Sequence, residues 1–227
     1  KGDIFNTILF TYKKVIDMSI IYYMKLSSRG YSIKKNEYSE SYILNIKKEL
    51  TVKPFINNNF GPPAKEFKVY FENEKKLYIP RFYGIEKFGN PLINQIQIPE
   101  SIDIVFSKQL RPKQIPIIDK YLKSVADGGG GIISVPCGYG KTVLALNLIT
   151  KLKVKTLVIV HKTFLMNQWK ARINEFLPNS KIGIIQGDKI DTKDKDIVIG
   201  MLQSISKRDY DSNIFNGFGF VIYDECH

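Results

Sequence analysis

The feature that most constrains this chain is a seven-residue segment, PCGYGKT, which lies between an apolar run and a stretch with helical spacing. Its two glycines lack Cβ atoms, so the backbone can turn sharply and direct successive N–H groups at an anion. A helix that starts directly after such a loop adds the positive end of its dipole. The order of strand (131–135), loop and helix (143–152) therefore predicts a site for the phosphates of a nucleotide. The residues assigned to this site are Pro136, Cys137, Gly138, Tyr139, Gly140, Lys141 and Thr142.

Two side chains at the end of this segment have separate expected roles. Lys141 is expected to contact the β and γ phosphates, which makes it a catalytic as well as a binding residue. The Thr142 hydroxyl is expected to bind Mg²⁺. Taken alone, the segment indicates only that a nucleoside triphosphate binds, because short glycine–lysine motifs also occur by chance.

A pair of carboxylates near the end of the sequence adds the second half of such a site. Residues 219–223 form another apolar strand pattern, and Asp224 and Glu225 follow it directly. At the carboxyl end of a parallel strand, one carboxylate can hold a metal ion, and its neighbour can orient and deprotonate the attacking water. We assign Asp224 to Mg²⁺ and Glu225 to the water, with ATP as the expected nucleotide.

The combination of PCGYGKT with DECH, residues 224–227, resembles motifs I and II of superfamily 2 helicases and translocases. The resemblance runs from Leu110 onward and is closest to one branch of that superfamily. This branch contains the excision-repair helicase, the phage recombination helicase and the transcript-release helicases of poxviruses and related large DNA viruses. The resemblance implies an ATP-driven motor on nucleic acid, with DNA favoured over RNA.

The same resemblance implies roles for residues outside the two motifs. Arg111 and Gln114 lie in a segment similar to the adenine-reading element, in which the glutamine pairs with the adenine edge. Lys162 lies in a segment similar to motif Ia, and Gln203 in one similar to the T-Q-S element. Both are therefore expected to contact nucleic acid. His227 is implied to couple the state of the ATP to a second motor lobe.

Two positions depart from the general motif patterns. Val135 stands where the general phosphate-loop formula has glycine, and superfamily 2 proteins commonly lack that glycine. Met201 stands where the T-Q-S element usually has threonine, which removes a hydroxyl from the region of the nucleic-acid backbone. The second departure weakens a role for Met201 and leaves the expectation for Gln203.

Charge and cysteine usage agree with this interpretation. A formal charge of +12 suits a polyanionic partner, because each neutralised phosphate releases counterions. A lysine-rich solvated surface is the alternative, and without the motifs it would be preferred. No apolar run predicts a membrane span, and no signal-peptide pattern is visible. Both cysteines, Cys137 and Cys226, lie inside the motifs, so we expect a reducing intracellular compartment: nucleus, cytoplasm or, for a viral protein, viral factory or virion.

Alternating strand and helix patterns predict an α/β fold for residues 104–227, and the resemblance implies a RecA-like parallel sheet with flanking helices. The expected strands lie at 131–135, 155–160, 181–185, 196–200 and 219–223. Trp169 recurs with other apolar residues at helical spacing, so we expect it in the core rather than stacked on a base. His161, at the end of the second strand, is expected to be structural.

Residues 1–103 are expected to form a small α+β accessory domain. Helices are predicted at 4–24 and 39–50, and the alternation around 67–71 followed by a polar turn predicts a hairpin. Tyrosine and lysine pairs in this half are candidates for DNA binding, although half-buried tyrosines and surface lysines explain them equally well. These pairs are Tyr22, Tyr23, Lys34 and Lys35.

The first residue is Lys1, and the last, His227, falls inside motif II, which leads us to expect an incomplete first motor lobe. The second lobe would belong to the same full-length chain. The expected function is an ATP-dependent DNA helicase or translocase, with transcription or repair machinery as partners and little activity in the fragment alone. Two alternatives stay open: the motor subunit of a restriction system, and a non-catalytic nucleic-acid-binding scaffold with a relic nucleotide fold.

Overall fold

The computed structural model describes residues 24–53 and 65–224, apart from the side chains of residues 127 and 128. The chain divides into two compact units, Lys1–Ile96 and Gln97–His227. Residues between 97 and the expected boundary at 103 hydrogen-bond within the second unit, since the Glu100 N–H donates to Gly217 O and the Ile102 N–H donates to Lys153 O. By its contacts, this segment therefore belongs with the second unit.

The first unit is a mixed α+β structure. Its five-stranded sheet has the order β5-β6-β2-β1-β7, and β3 pairs with β4 separately. Only the β1–β7 pair of this sheet is parallel. The strands are β1 (Lys25–Ser27), β2 (Gly30–Lys34), β3 (Thr51–Val52), β4 (Phe67–Lys68), β5 (Phe71–Glu72), β6 (Lys76–Ile79) and β7 (Ile93–Asn94), and the helices are α1 (Glu40–Glu49) and α2 (Arg81–Phe88).

Two of the local predictions for this unit are confirmed. The helix predicted at 39–50 is α1, and its N-cap Ser39 accepts a hydrogen bond from the Tyr42 N–H. The predicted hairpin forms between β5 and β6, while residues 67–68 pair with β3 instead of extending it. The helix predicted at 4–24 falls almost entirely outside the described residues.

The lysines proposed for DNA contact in this unit have acidic neighbours. Lys35 Nζ lies 2.5 Å from Glu72 Oε2, and Lys34 Nζ lies 3.6 Å from Glu37 Oε1. Tyr22 and Tyr23 lie outside the described residues. A role of this unit in DNA binding stays a prediction.

The second unit is built on a largely parallel sheet with the order β10-β9-β11-β8-β12. Strands β9, β11, β8 and β12 run parallel, and β10 pairs with β9 in an antiparallel hairpin at the edge. All five residues of β8 and of β11 are buried, as is typical of a sheet covered on both faces. The strands are β8 (Thr156–Val160), β9 (Ile182–Gln186), β10 (Lys189–Asp191), β11 (Ile197–Met201) and β12 (Phe220–Tyr223); the helices are α3 (Ile115–Gly128), α4 (Lys141–Leu152), α5 (Thr163–Phe176) and α6 (Leu202–Lys207).

The expected α/β fold is confirmed, and four of its five predicted strands form within one residue of the predicted ends. The strand predicted at 131–135 is wrong, because these residues pair with no strand of the described chain. They and the outer edge of β12 instead line one cavity of about 600 Å³, and Ile132 is 84% exposed. An apolar run becomes a strand only where a neighbouring strand accepts and donates its backbone hydrogen bonds. Here a cavity takes the place of that neighbouring strand. No helix among the described residues is long and apolar enough to cross a membrane.

Candidate nucleotide and nucleic-acid site

The glycine-bearing loop has the backbone shape that its sequence predicts. Gly138 has a φ of +74° and Gly140 a φ of +92°, both in the left-handed region that L side chains rarely adopt. Helix α4 begins at Lys141, directly after Gly140. No side chain of the described chain caps this helix start, so its first-turn N–H groups are available to an anion.

A buried glutamine joins the loop to the segment that precedes α3. Gln114 is only 2% exposed, and its Oε1 accepts a hydrogen bond of 2.9 Å from the Arg111 N–H. Its Nε2 donates to Tyr139 O, also at 2.9 Å. The Lys113 ammonium lies 4.3 Å from the centre of the Tyr139 ring, which adds a cation–π contact. A primary amide has two donor hydrogens and two acceptor lone pairs, so these two contacts use one of each.

Three polar side chains from the two sequence motifs meet at one cavity. Lys141, Thr142 and Asp224 all line the cavity of about 600 Å³ beside β12. Most of the remaining lining is apolar: Ile132, Ile133, Val135, Leu148, Phe220 and Ile222. A charged triphosphate cannot be placed among these apolar side chains without a large desolvation cost, so a phosphate subsite here would have to be formed by the polar lining residues. Hydroxyl and carboxylate oxygens are the ligands that Mg²⁺ prefers, so Thr142 and Asp224 fit this ion.

Asp224 makes two hydrogen bonds with neighbouring elements, one through its backbone N–H and one through its carboxylate. Asp224 follows β12, and its N–H donates to Ile159 O of β8 at 3.1 Å. Its Oδ2 accepts a hydrogen bond of 2.7 Å from Trp169 Nε1 on α5. The prediction that Trp169 is a core residue is confirmed by its 2% exposure, but this polar contact was missed. The signal that could have found it is the indole N–H, which needs an acceptor wherever the ring is buried.

The two residues predicted to contact nucleic acid follow adjacent parallel strands. Val160 at the end of β8 lies opposite Met201 at the end of β11. Lys162 and Gln203 come shortly after these positions, and both are exposed. Gln203 Nε2 donates a hydrogen bond of 2.7 Å to His161 O, which ties the two strand ends together. Because β12 also runs parallel to β8, Asp224 lies at the same sheet edge.

Comparison with known protein families matches residues 107–227, just over half of the chain, to the family Type III restriction enzyme, res subunit. The chain belongs to this family. The family match and the helicase relatives described next place it in superfamily 2, as the resemblance implied.

Curated relatives of this superfamily 2 chain carry helicase and translocase names. A protein of Acanthamoeba polyphaga mimivirus, named as an ATP-dependent RNA helicase, is 38% identical over 89% of this chain and 40% of its own length. A protein of Invertebrate iridescent virus 6, named as a helicase, is 31% identical over 85% of this chain and 43% of its own length. The DNA 3'-5' translocase XPB2 of Sulfurisphaera tokodaii is 32% identical over 76% of this chain and 38% of its own length. The chain thus spans about 40% of the length of these relatives.

The structure brings together some of the predicted site residues of this superfamily 2 chain. Lys141, Thr142 and Asp224 share one cavity, and Gln114 contacts the phosphate loop through Tyr139. Pro136, Cys137 and Arg111 are exposed, and Met201 is buried in the core cluster, which accounts for an apolar residue in place of threonine. Glu225, Cys226 and His227 lie outside the described residues. The individual roles of all these residues stay predictions.

The loop geometry of this superfamily 2 chain allows a stability test with a matched control. Gly138→Ala and Gly140→Ala both place a Cβ in the left-handed region, at a cost of about 1–2 kcal/mol each. At Gly140 the new Cβ would also lie 2.7 Å from Gln114 Nε2, whereas at Gly138 it would meet nothing within 4 Å. We expect Gly140→Ala to destabilise the fold by ~1–3 kcal/mol more than Gly138→Ala, because it overpacks a held side chain. Unfolding without nucleotide measures the difference, and equal losses would contradict the Gln114 contact.

Proposed function

We propose that this chain contains the ATP-binding lobe of an ATP-dependent DNA helicase or translocase, preceded by an accessory unit. The observation that supports this most directly is that Lys141, Thr142 and Asp224 line one cavity, and that the helix start that carries Lys141 and Thr142 is uncapped. The relatives' names support a helicase or translocase activity. The chain spans about 40% of their length, so the activity belongs to the full-length protein.

Each residue of the proposed ATP site has a distinct task. Lys141 places a point charge at the β and γ phosphates, and the first-turn N–H groups of α4 add backbone donors. Thr142 and Asp224 would hold Mg²⁺. When bound, this ion neutralises charge that develops on the phosphate oxygens. Glu225 orients the attacking water and accepts its proton.

Recognition of the base is proposed for the segment ahead of α3. Gln114 would pair with the adenine edge through the amide hydrogen and the lone pair that its contacts with Arg111 and Tyr139 leave over. Because the same amide holds Tyr139 O in the phosphate loop, base binding and loop geometry would be linked. His227 would transmit the state of the ATP to a second lobe, whose opening and closing on the strand would move the protein along it.

The polymer is proposed to be DNA, bound through its backbone. The exposed side chains of Lys162 and Gln203 lie at the same sheet edge as Asp224. Contacts of this kind position a nucleic acid without reading its bases. The relatives' names include both an RNA helicase and a DNA translocase, so the polymer has to be tested directly. The net charge of +12 supports a polyanionic partner of either kind.

Binding to nucleic acid should be non-specific and should weaken steeply with salt. Each phosphate neutralised by the full-length protein is expected to contribute a slope of roughly −0.9 for duplex DNA, or about −0.7 for a single strand, to the logarithm of affinity against the logarithm of salt concentration. We also expect DNA to stimulate ATP hydrolysis, and Gln203→Ala to reduce that stimulation. Ser206→Ala, an exposed change on the same helix α6, is the matched control and should leave it unchanged.

Titration of ATPase activity with DNA and RNA of scrambled sequence decides between the candidate functions. Salt-independent binding, a strong base-sequence preference or an absence of stimulation by any polynucleotide would favour the non-catalytic scaffold. Stimulation by RNA alone would show that the polymer is RNA rather than DNA and would still support the motor function. A second candidate, the motor subunit of a restriction system, is favoured by the description of the matched family. A nuclease or methylase module in the full-length chain would identify it.

A further inference from the structure

A buried hydrogen bond links the core of the second unit to the carboxylate assigned to the metal. Trp169 lies in α5 within the main hydrophobic cluster, next to Leu165, Met166 and Ile173. Its indole is 2% exposed, and Nε1 lies 2.7 Å from Asp224 Oδ2. The packing of the ring therefore fixes where its single N–H points, and the N–H fixes one oxygen of the carboxylate.

This contact suits a carboxylate that has to bind a cation. The indole is a donor only, and the carboxylate oxygen is its acceptor. It occupies one carboxylate oxygen, and no second side-chain donor from residues 24–53 or 65–224 bonds to the other. A metal ligand tolerates little error in position, and a side chain locked by a neighbouring hydrogen bond loses no rotational freedom when the ion binds.

We propose that Trp169 is a positioning residue that holds the Asp224 carboxylate ready for the divalent ion of the bound ATP complex. The proposal rests on the proposed function, because it assigns Asp224 to that ion. Trp169 also lines the cavity, but in this scheme it acts on the ion only through Asp224. Removing its N–H should release the carboxylate from one orientation, with the rest of the core in place.

A purely structural role for the hydrogen bond makes a different prediction. If it only ties α5 to the end of β12, its loss should lower the stability of the fold and leave the dependence on divalent ion unchanged. If it positions the carboxylate, its loss should raise the ion concentration needed for half-maximal binding by about 10- to 100-fold, as for other partners of metal ligands. Turnover at saturating ion should fall by less than that factor.

Two changes in the full-length protein remove the N–H at different cost to packing. Trp169→Phe keeps an aromatic ring, and replacement of the indole by its benzothiophene isostere exchanges the N–H for sulfur at nearly constant shape. The control is Ile173→Val, which trims a buried side chain of the same helix that has no hydrogen-bond donor to offer Asp224. Mn²⁺ binding in the presence of a non-hydrolysable ATP analogue is measured for each protein, together with the Mg²⁺ dependence of ATP hydrolysis.

The indole N–H also reports the contact without nucleotide. Its ¹H–¹⁵N signal is assigned by its loss in Trp169→Phe. We expect Asp224→Asn to move this signal, and Mn²⁺ with the analogue to broaden it in the wild-type protein. An indole signal indifferent to Asp224→Asn would overturn the proposal.

The outcomes separate the two levels of inference. Weaker Mn²⁺ binding in both N–H-deficient proteins, with Ile173→Val unchanged, supports the positioning role even if no ATP is hydrolysed, and in that case only the proposed motor function fails. Normal hydrolysis with an unchanged ion dependence in both proteins overturns the positioning role and leaves the motor function. Wild-type protein that binds no divalent ion with the nucleotide would overturn both.

Discussion

Lys141→Ala is expected to abolish ATP turnover by the full-length protein and to leave its fold intact. The side chain is exposed at the first position of α4, so its removal takes nothing from the hydrophobic core. In the proposed site its ammonium is the point charge on the β and γ phosphates. This charge stabilises the transition state of phosphoryl transfer more than the ground state. Loss of one such group from a prearranged site costs on the order of 100- to 1000-fold in rate.

The control for this experiment removes a lysine from the far end of the same helix. Lys151 is exposed in the last turn of α4, about 15 Å along the helix axis from Lys141. Lys151→Ala should therefore keep ATP turnover near the wild-type rate. Steady-state hydrolysis with saturating DNA, together with binding of a fluorescent ATP analogue, measures both variants. Wild-type activity in Lys141→Ala would remove the basis for the phosphate-loop assignment.

The parts of the site that sequence could predict are those whose chemistry is local. The left-handed glycines at 138 and 140 follow from a few neighbouring residues, as does a helix soon after them, although the helix begins at Lys141, two residues before the predicted 143. The same holds for Asp224, since a carboxylate directly after an apolar strand lies at the carboxyl edge of a parallel sheet. Lys162 and Gln203 follow the adjacent parallel strands β8 and β11, so the same rule accounts for their place at this edge.

The strand predicted at 131–135 failed because a strand depends on a partner that local sequence does not contain. The run has the apolar character of a buried strand, but the outer edge of β12 lies across a cavity from it. By contrast, β8 and β11 lie beside each other in register and form as predicted. The apolar pattern of a segment shows that it is compatible with a strand, but the strand forms only where a neighbouring strand is in place to pair with it.

Contacts between distant residues were also beyond the sequence. The bond from Trp169 to Asp224 joins residues 55 positions apart, and the one from Gln114 to Tyr139 joins residues 25 apart. An apolar stripe on α5 predicted the burial of Trp169, but nothing in the spacing shows which acceptor its N–H meets. For Gln114, the resemblance implied a contact with the base, whereas its hydrogen bond to Tyr139 of the phosphate loop is seen only in the structure.

Glu225→Gln is expected to separate ATP binding from ATP hydrolysis. Glu225 follows Asp224, whose carboxylate lines the cavity with Lys141 and Thr142. Glutamine has the same length and can still orient a water, but it cannot accept the proton of that water. Hydrolysis should therefore fall by ~100-fold or more, on the scale of a general base, while ATP and Mg²⁺ still bind.

Asp224→Asn is the matched comparison, because it makes the same chemical change on the neighbouring residue. It should raise the Mg²⁺ concentration needed for ATP binding and also lower turnover, since an amide oxygen is a poorer ligand for this ion than a carboxylate. Equilibrium binding of ATP at several Mg²⁺ concentrations and single-turnover hydrolysis measure the two effects separately. If Glu225→Gln lost binding and turnover equally, Glu225 would belong to the metal ligands, and another group would have to accept the proton.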